Sequence, residues 1–301
     1  MALIAGPTAS GKSALALALA ERAGGTIINA DSAQIYRGLP ILTAAPSDED
    51  LRRAEHRLYG IRDPADPCSA ADWAALAKAE IAKVHAAGRL PILVGGTGLY
   101  IRTLLQGIAP VPAINPRVRA EVRAAGVAEN RARLEDLDPA TAARLSPGDT
   151  LRTARAVEVA LSTGTPLSRW QQQREGGIEA GIDLRALILL PPRDWLYLRC
   201  DERFERMMRG GAVEEVAGLL EKGLSPHLPV MRAIGVKEIG ALLRGEFGCY
   251  EALGLGRFAS RRYAKRQYTW FAHQPPAEWP RFAAPLDEDM GGALALLGAK
   301  A

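Results

Sequence analysis

The segment from residue 6 to residue 13 constrains this chain more than any other part of it. It reads, in order, Gly6, Pro7, Thr8, Ala9, Ser10, Gly11, Lys12 and Ser13, which matches the phosphate-binding pattern Gly-x4-Gly-Lys-Ser. An apolar stretch before it, residues 2–5, predicts a strand, and an Ala/Leu-rich run after it, residues 14–22, predicts a helix. In this setting the loop amides and the helix N-terminus both point at a bound anion.

Each residue type in the loop has a chemical use. Gly6 and Gly11 let the backbone wrap closely around an anion, Lys12 can reach terminal phosphate oxygens, and the hydroxyl of Ser13 can bind Mg²⁺. The loop therefore predicts a bound phosphate, a diphosphate or a nucleotide such as ATP. It does not specify which bond of that ligand breaks.

The chain before and after its middle third alternates short apolar runs with helical patterns. Strands are predicted at residues 26–30, 90–94 and 184–190, and helices at residues 70–87 and 99–105. This alternation is typical of a parallel sheet covered by helices. We predict an α/β fold, a P-loop NTPase-like parallel sheet flanked by helices, with a helical C-terminal part after residue 193.

The middle of the chain has a different composition. Residues 111–181 are rich in Ala, Arg and Glu and show no clear strand. The helices predicted there are residues 116–125, 131–137, 139–145 and 151–162. We predict an all-helical insertion domain, residues 113–179, in a core made of residues 1–112 together with residues 180–301. Proline and glycine clusters at both ends fit such boundaries.

Charge and cysteine content narrow the setting. A net charge of +4 and a pI near 9.0 favour a nucleic-acid partner only if the positive residues are concentrated. The three cysteines are odd in number and far apart, which predicts no disulfide framework and no cysteine metal site. No apolar run is long enough to span a bilayer. With a strand starting near residue 2 we expect no signal peptide, and hence a cytoplasmic protein without a membrane partner. We also expect a monomer, since nothing in the sequence requires a second copy.

Asp31 is the acidic residue that the predicted topology places closest to the bound phosphates. The phosphate loop, Asp31-Ser32 and the run Gly95-Gly96-Thr97-Gly98 each follow a predicted strand, and ligands of such sheets sit beyond the carboxyl ends of the strands. Asp31 could help to hold Mg²⁺, act as a general base, or simply cap a turn. Thr97 would supply a hydroxyl beside it.

A second informative segment, residues 257–274, combines positive charge with aromatic residues. It contains five cations and no acidic residue: Arg257, Arg261, Arg262, Lys265 and Arg266. Phe258, Tyr263 and Trp270 are interleaved with them. A helix of this kind suits an RNA backbone with exposed bases. A solvated basic face with its aromatic residues in the core is an equal alternative.

Taken together, these motifs resemble the tRNA dimethylallyltransferases, also called tRNA isopentenyltransferases. The resemblance spans nearly the whole chain in the family's order. The matching motifs are residues 6–13, 29–36 (Asn-Ala-Asp-Ser-Ala-Gln-Ile-Tyr), 69–72, 94–100 (Val-Gly-Gly-Thr-Gly-Leu-Tyr), 144–149 with Arg152 and Arg155, 163–168, 233–238, 263–267 and 269–271. The phosphate loop alone is generic, whereas its combination with the motifs at 29–36 and 94–100 is specific.

The resemblance implies transfer of a dimethylallyl group from dimethylallyl diphosphate to N6 of adenosine 37, next to the tRNA anticodon. It implies that the phosphate loop and Mg²⁺ hold the diphosphate, that Asp31 accepts the proton of the amine, and that Thr97 orients that amine. Arg203 would contact the diphosphate. The residues expected to contact the tRNA anticodon stem-loop are Asp31, Ser32, Ala33, Gln34, Thr97, Arg119, Arg152, Arg155, Lys265 and Arg266.

The sequence departs from the family pattern at three places. The stretch usually written Gly-Thr-Ala-Lys is here Leu-Thr-Ala-Ala and ends at Ala45, and the usual Pro-His-His is reduced to Ala-Glu-His, ending at His56. The basic residue expected after Trp-Phe is Ala272. These departures concern tRNA affinity and substrate range more than the reaction.

Two other functions use some of the same features. An ATP-dependent small-molecule kinase would use the phosphate loop and Asp31, but it needs neither the basic helix nor the insertion. A non-catalytic RNA-binding protein would leave an acidic residue beside the phosphate site unexplained. A motor or switch NTPase is disfavoured, since no apolar run other than the one before Asp31 ends in an acidic residue.

Overall fold

The structure is a computed structural model that describes residues 1–298, and it contains a six-stranded parallel sheet. The strands run in the spatial order β3-β2-β4-β1-β5-β6, and every neighbouring pair is parallel. Their bounds are β1 Ala2–Ala5, β2 Gly25–Asn29, β3 Glu55–Arg57, β4 Leu90–Gly95, β5 Arg185–Leu189 and β6 Arg281–Phe282.

Fifteen α-helices are assigned within residues 1–298. Those before the middle third are α1 Lys12–Ala23, α2 Pro40–Thr43, α3 Asp48–Arg53, α4 Ala70–Ala86 and α5 Gly98–Gln106. Those of the middle third are α6 Pro116–Ala124, α7 Val127–Leu137, α8 Pro139–Arg144, α9 Thr150–Thr163 and α10 Leu167–Trp170. The remainder are α11 Arg193–Arg209, α12 Ala212–Leu220, α13 Val236–Leu243, α14 Cys249–His273 and α15 Met290–Leu296.

The chain divides into two compact units. One runs from Leu105 to Ala180, and the other comprises the chain on either side of it. We call the unit formed by residues Leu105–Ala180 the helical unit. The remaining unit contains the whole sheet, and we call it the sheet unit. No helix within residues 1–298 is long and apolar enough to cross a membrane.

The sheet is held by a core that the sequence encodes as continuous apolar runs. All four residues of β1 and all five of β2 are buried, as expected of parallel strands covered on both faces. Helix α1 packs its Leu15, Leu17 and Leu19 into the same core. Burial of side chains of this size contributes roughly 1.5–3 kcal/mol each, so the central strands anchor the unit.

The helical unit has a core of its own. Val122 of α6, Leu134 of α7 and Val157 of α9 are fully buried against one another. Asp138 caps α8 by accepting hydrogen bonds from the backbone and hydroxyl of Thr141, at 3.0 and 2.7 Å. The unit therefore has both the buried apolar layer and the capped helices that a separate folding unit requires.

Helices α11 and α14 form the most extensive helix pair of the sheet unit. One face of α14 is buried, and its members recur every three or four residues: Ala252, Gly256, Ser260, Ala264, Gln267 and Phe271. The ring of Phe204 on α11 lies so close to Gly256 that a β-carbon there would overlap it. This close approach sets the distance between the two helices.

The predicted fold class is confirmed. The expected strands and helices are all present, and their ends differ by a few residues at most. The sequence analysis did not predict β3 and β6, which have three and two residues, or α2, α3 and α10, which have four, six and four. Segments this short have too few side chains to show a period. For this reason the C-terminal part was predicted to be helical, although β6 interrupts it.

We predict that Gly256→Ala destabilises the protein by about 1–3 kcal/mol, because the added methyl group must push Phe204 out of its packed position. The matched control is Gly254→Ala in the same helix, where nothing lies within 4 Å of the added carbon. That control should raise stability by up to ~1 kcal/mol through helix propensity. Urea unfolding of both variants measures the difference. Equal effects would refute the close-packing argument.

Candidate active site

Three loops meet at the carboxyl edge of the sheet because strands β2, β4 and β1 are neighbours. The phosphate loop, residues 6–13, follows β1. Asp31 follows β2, and Gly96-Thr97 follows β4. The backbone N–H of Ala30 donates to Val94 at 2.7 Å, and that of Thr97 donates to Ala30 at 3.2 Å. The sequence prediction that these segments converge is thus matched by direct hydrogen bonds between two of them.

The phosphate loop adopts a backbone that depends on glycine. Gly6 has φ 148°, and a β-carbon at this residue would lie 2.5 Å from the carbonyl oxygen of Leu189 in β5. Gly11 has φ 93° and precedes α1 as its N-cap. Ala9 has φ 64°, which is uncommon for a residue with a side chain. The loop is therefore pressed against β5 in a conformation that other residues adopt only with strain.

Three cations surround the phosphate loop. The Lys12 ammonium donates to the Pro7 carbonyl at 2.5 Å. From α11, Arg203 donates to the Thr8 hydroxyl at 2.5 Å and Arg199 to the Ala9 carbonyl at 3.3 Å. Arg199 and Arg203 are four residues apart and therefore share one face of α11, and that face lies against the loop.

Burial destabilises the charged forms of two of these cations. It lowers the pKa of Lys12 to about 8, with the Asp31 carboxylate opposing the shift and Arg203 adding to it. Burial also lowers the pKa of Arg203. Cations that are partly desolvated and close together gain most from a multiply charged anion, so this cluster is built to receive one.

Asp31 is held in a fixed position by its own loop. One carboxylate oxygen, Oδ1, accepts a hydrogen bond from the backbone N–H of Ala33 at 2.9 Å. Its own N–H donates to the side chain of Asn29 at 2.7 Å, and Asn29 is buried and also donates to the Leu58 carbonyl at 3.0 Å. The turn alternative of the sequence analysis is therefore partly right, because Asp31 does stabilise a turn. Its carboxylate nevertheless also faces the site.

Thr97 joins the loops after β4 and β2. Its hydroxyl accepts from the backbone N–H of Ser32 at 3.0 Å and lies 3.3 Å from the Ser32 hydroxyl. The phenol of Tyr263 on α14 lies near this hydroxyl. Burial and the nearby Asp31 carboxylate raise the pKa of Tyr263, so its phenol stays protonated. The sequence analysis named Tyr263 as an aromatic residue of the basic segment, but not as a residue of this site.

A cavity of about 330 Å³ opens beside these loops. One part of its wall is polar and includes Thr8, Asp31 and Arg203, whereas another is apolar and includes Phe204 and Met207. Its remaining lining residues are Ser32, Ala33, Tyr36, Leu42, Thr43, Cys68, Tyr100, Pro229, Arg232, Ala233, Ile234, Ser260, Tyr263 and Arg266. The cavity thus offers an apolar compartment next to a cationic one.

Gln267 on α14 was also missed as a site residue. Its side-chain oxygen accepts from the N–H of Thr8 at 2.8 Å, and its nitrogen donates to the carbonyl of Gly96 at 2.8 Å. The available signal was its place in the buried stripe of α14, where the neighbouring members Ala264 and Phe271 are apolar. A buried glutamine requires partners, but the sequence does not reveal which.

A second cavity has a volume of about 450 Å³. Its lining includes Ala45 and His56, which belong to two of the segments where the sequence departs from the family pattern. Gln34 lines this cavity, and its amide donates to the carbonyls of Thr43 and Ala44 at 3.0 and 2.7 Å. Gln34 is therefore placed to support the chain around residue 44. Burial lowers the pKa of His56, whose ring lies 2.9 Å from the Ala54 carbonyl through Nδ1.

Helix α14 fits both alternatives raised for the basic segment. Arg257 and Arg261 pair with Glu205 and Asp201 of α11, at 2.6 and 3.0 Å, so their charges serve the fold. Lys265 and Arg266 are exposed. Arg266 also lies over the ring of Tyr263, 5.5 Å from its centre. Arg262 similarly lies 5.6 Å from the ring centre of Phe258, which is 51% exposed.

The helical unit gathers arginines around one buried carboxylate. Glu158 is 1% exposed, and its oxygens lie 2.5 Å from Arg123, 3.9 Å from Arg119 and 3.8 Å from Arg155. Arg152 is separate, pairing with Asp149 at 3.3 Å while its side chain is 77% exposed. The cluster places more positive than negative charge at the surface of this unit.

Comparison with known proteins identifies relatives over almost the entire chain. The sequence model of the family described as IPP transferase matches residues 34–274. The tRNA dimethylallyltransferase of Sphingopyxis alaskensis is 58% identical over 297 residues, 98% of this chain and 97% of that protein. That of Novosphingobium aromaticivorans is 59% identical over 255 residues, covering 85% of this chain and 91% of its own.

Solved structures give the same result. The crystal structure of the tRNA isopentenylpyrophosphate transferase of Bacillus halodurans is 33% identical, with a TM-score of 0.69 over 99% of this chain and 96% of its own. A eukaryotic dimethylallyltransferase acting on tRNA is 26% identical, with a TM-score of 0.78 over 90% of this chain and 69% of its own.

We predict that Lys12→Met weakens binding of inorganic pyrophosphate at least about tenfold, since a charge-assisted contact contributes about 1.5–3 kcal/mol. Isothermal titration calorimetry with pyrophosphate measures the change. Lys222→Met, at an exposed lysine, is the matched control and should bind as the unmodified protein does. If both variants bind equally well, the phosphate loop is not the anion site.

Proposed function

The chain belongs to the IPP transferase family and is a tRNA-modifying transferase, and on this premise we propose that it transfers a dimethylallyl group to N6 of adenosine 37 in tRNA. The donor is dimethylallyl diphosphate, and the product is N6-dimethylallyladenosine. The observation that carries the proposal is one cavity lined by Thr8 of the phosphate loop, the cation Arg203, the Asp31 carboxylate and an apolar wall.

The cationic side of the cavity suits a diphosphate leaving group. Lys12, Arg203 and the amides at the N-terminus of α1 would hold its oxygens and stabilise the negative charge that grows as it departs. Phe204 and Met207 would receive the apolar prenyl chain, with the allylic carbon between the two compartments. An allylic C–O bond breaks readily because the adjacent double bond delocalises positive charge.

Asp31 and Thr97 suit the acceptor. As N6 of adenine bonds to the allylic carbon and the C–O bond to diphosphate breaks, the nitrogen becomes acidic and its proton passes to the Asp31 carboxylate. The Thr97 hydroxyl, held by the backbone N–H of Ser32, would orient the amine. Adenosine 37 must leave the stacked anticodon loop to reach this cavity.

Mg²⁺ fits the residues present, as a companion of the diphosphate. Within residues 1–298 no group of three His, Cys, Asp or Glu side chains is placed to hold a metal ion. Ser13 is exposed in the first turn of α1, beside Lys12. Mg²⁺ commonly takes few protein ligands and completes its shell with substrate phosphates and water, so Ser13 would hold it and the ion would add positive charge to the diphosphate.

The tRNA would be held by charges on both units. The proposed phosphate contacts on α14 are Lys265 and Arg266. Those of the helical unit are Arg119 and Arg155, which lie beside Glu158, and the exposed Arg152. Ser32 and Ala33 line the cavity where the adenosine would enter. We propose further that the enzyme is cytoplasmic, since its substrate is tRNA, and that it acts as a monomer, since no step of the reaction requires a second copy.

The kinase alternative is not favoured, because the relatives are named tRNA dimethylallyltransferases. The direct test is nucleoside mass spectrometry of unmodified tRNA with the sequence A36-A37-A38, incubated with the protein, Mg²⁺ and dimethylallyl diphosphate. One dimethylallyl group on adenosine 37 is expected. Transfer to another nucleotide, or none at all, would overturn the proposal.

We predict that Asp31→Asn lowers the rate of transfer by at least about 100-fold, because general-base catalysis contributes about 10²–10⁴-fold. The asparagine keeps an oxygen for the Ala33 N–H, so the loop and tRNA binding should be preserved. Single-turnover rates and tRNA affinity are measured on the same preparation. Full activity in this variant would exclude Asp31 as the base.

We predict that the double variant Lys265→Ala, Arg266→Ala weakens tRNA binding and lowers the salt slope, d log K/d log[salt], by about 1.5, since each lost phosphate contact removes about 0.7–0.9. The control is Lys222→Ala, Arg244→Ala, which removes the same charge elsewhere; Arg244 pairs with Glu246 at 2.6 Å. Affinity is measured from 50 to 300 mM salt. An equal slope in both double variants would place the tRNA elsewhere.

A further inference from the structure

Gln267 touches both loops that the proposed reaction brings together. Its oxygen accepts from Thr8 in the phosphate loop, and its nitrogen donates to Gly96, the residue before Thr97. Both distances are 2.8 Å, and Gln267 is 6% exposed. A single buried side chain therefore bridges the loop that would hold the diphosphate and the loop that would orient the acceptor.

The chemistry of the two partners fixes the orientation of this amide. The partner in the phosphate loop is an N–H, which only donates, and the partner at Gly96 is a carbonyl, which only accepts. A primary amide of this length offers both functions, whereas a carboxylate lacks the donor. The fit is also tight, because a β-carbon on Gly96 would overlap the amide nitrogen of Gln267.

The bridge is continuous with the reacting groups on each side. The Thr8 hydroxyl also accepts a hydrogen bond from Arg203. The Thr97 hydroxyl accepts one from the backbone N–H of Ser32, the residue after Asp31. A shift of the amide would therefore move the diphosphate side and the base side relative to each other. Misplacement of reacting atoms by about 1 Å can cost about 100-fold in rate.

We propose that Gln267 is a positioning residue that sets the distance between the leaving diphosphate and the acceptor amine. It touches neither substrate and acts through the Thr8 N–H and the Gly96 carbonyl. The inference rests on the proposed function, because it assigns the two loops to the two substrates of that reaction.

The test is Gln267→Glu, which has the same shape but lacks the donor to Gly96 when ionised. At pH 9 its carboxylate would repel the Gly96 carbonyl and leave that acceptor unsatisfied, so the single-turnover rate should fall at least about tenfold. At pH 6 the introduced carboxyl group, raised in pKa by its burial, should be protonated and donate again. The ratio of variant to wild-type rate should then rise as the pH is lowered.

Two comparisons separate positioning from loss of structure. Lys12, Arg203 and Asp31 are the charged groups at these loops and are present in both proteins. Lys12, with a pKa of about 8, loses its charge over the same pH range, so its titration affects both rates and is compared through the ratio of variant to wild-type rate. Affinities for tRNA and inorganic pyrophosphate should change less than about threefold, since each loop binds its ligand separately. The control is Gln274→Glu, at the exposed glutamine directly after the same helix. Its single-turnover rate should equal the wild-type rate at every pH.

The outcomes distinguish the inference from the function on which it rests. Absence of transfer by the wild-type protein would overturn the proposed function and this inference with it. Transfer by the wild type with an equal rate in Gln267→Glu at every pH would overturn the inference alone. The inference would also be overturned if the rate of Gln267→Glu were reduced by the same factor at every pH. The same holds if the reduction in rate equalled the fraction of the variant that is unfolded.

Discussion

The adjacency of three parallel strands determines where everything else in the sheet unit can lie. Because β2, β4 and β1 are neighbours, the loops after them emerge side by side. Hydrogen bonds from Ala30 to Val94 and from Thr97 to Ala30 then hold two of these loops together. Gly95 allows the approach, since a β-carbon there would overlap the Ala30 backbone. The site therefore depends on the order of the strands and on Gly95, a position that has no room for a β-carbon.

Helices α11 and α14 complete the site from above the strand ends. Helix α11 supplies Arg203 and Arg199 to the phosphate loop, and α14 supplies Gln267 and Tyr263 to the loops around it. The two helices are tied by Phe204 against Gly256 and by two ion pairs. The C-terminal part of the chain thus completes a candidate active site whose phosphate loop lies near the N-terminus.

The sequence predicted the fold and the centre of the site for identifiable reasons. The central strands are continuous apolar runs, and the phosphate loop has a fixed spacing of glycine, lysine and serine. Strand β3 could not be predicted, because Glu55, His56 and Arg57 are polar and pair only at the sheet edge. The role of Gln267 was equally hidden, since its partners lie 259 and 171 residues away in the chain. The roles of the arginines in the helical unit stay predictions.

The proposed reaction requires that the phosphate loop hold a leaving group and not a phosphoryl donor. The most direct test measures the products of one reaction: pyrophosphate released and dimethylallyladenosine formed, with tRNA limiting. We expect one pyrophosphate for each tRNA modified, no orthophosphate or ADP, and no reaction when ATP replaces dimethylallyl diphosphate. Release of ADP from ATP, or release of pyrophosphate at the same rate without tRNA, would contradict it.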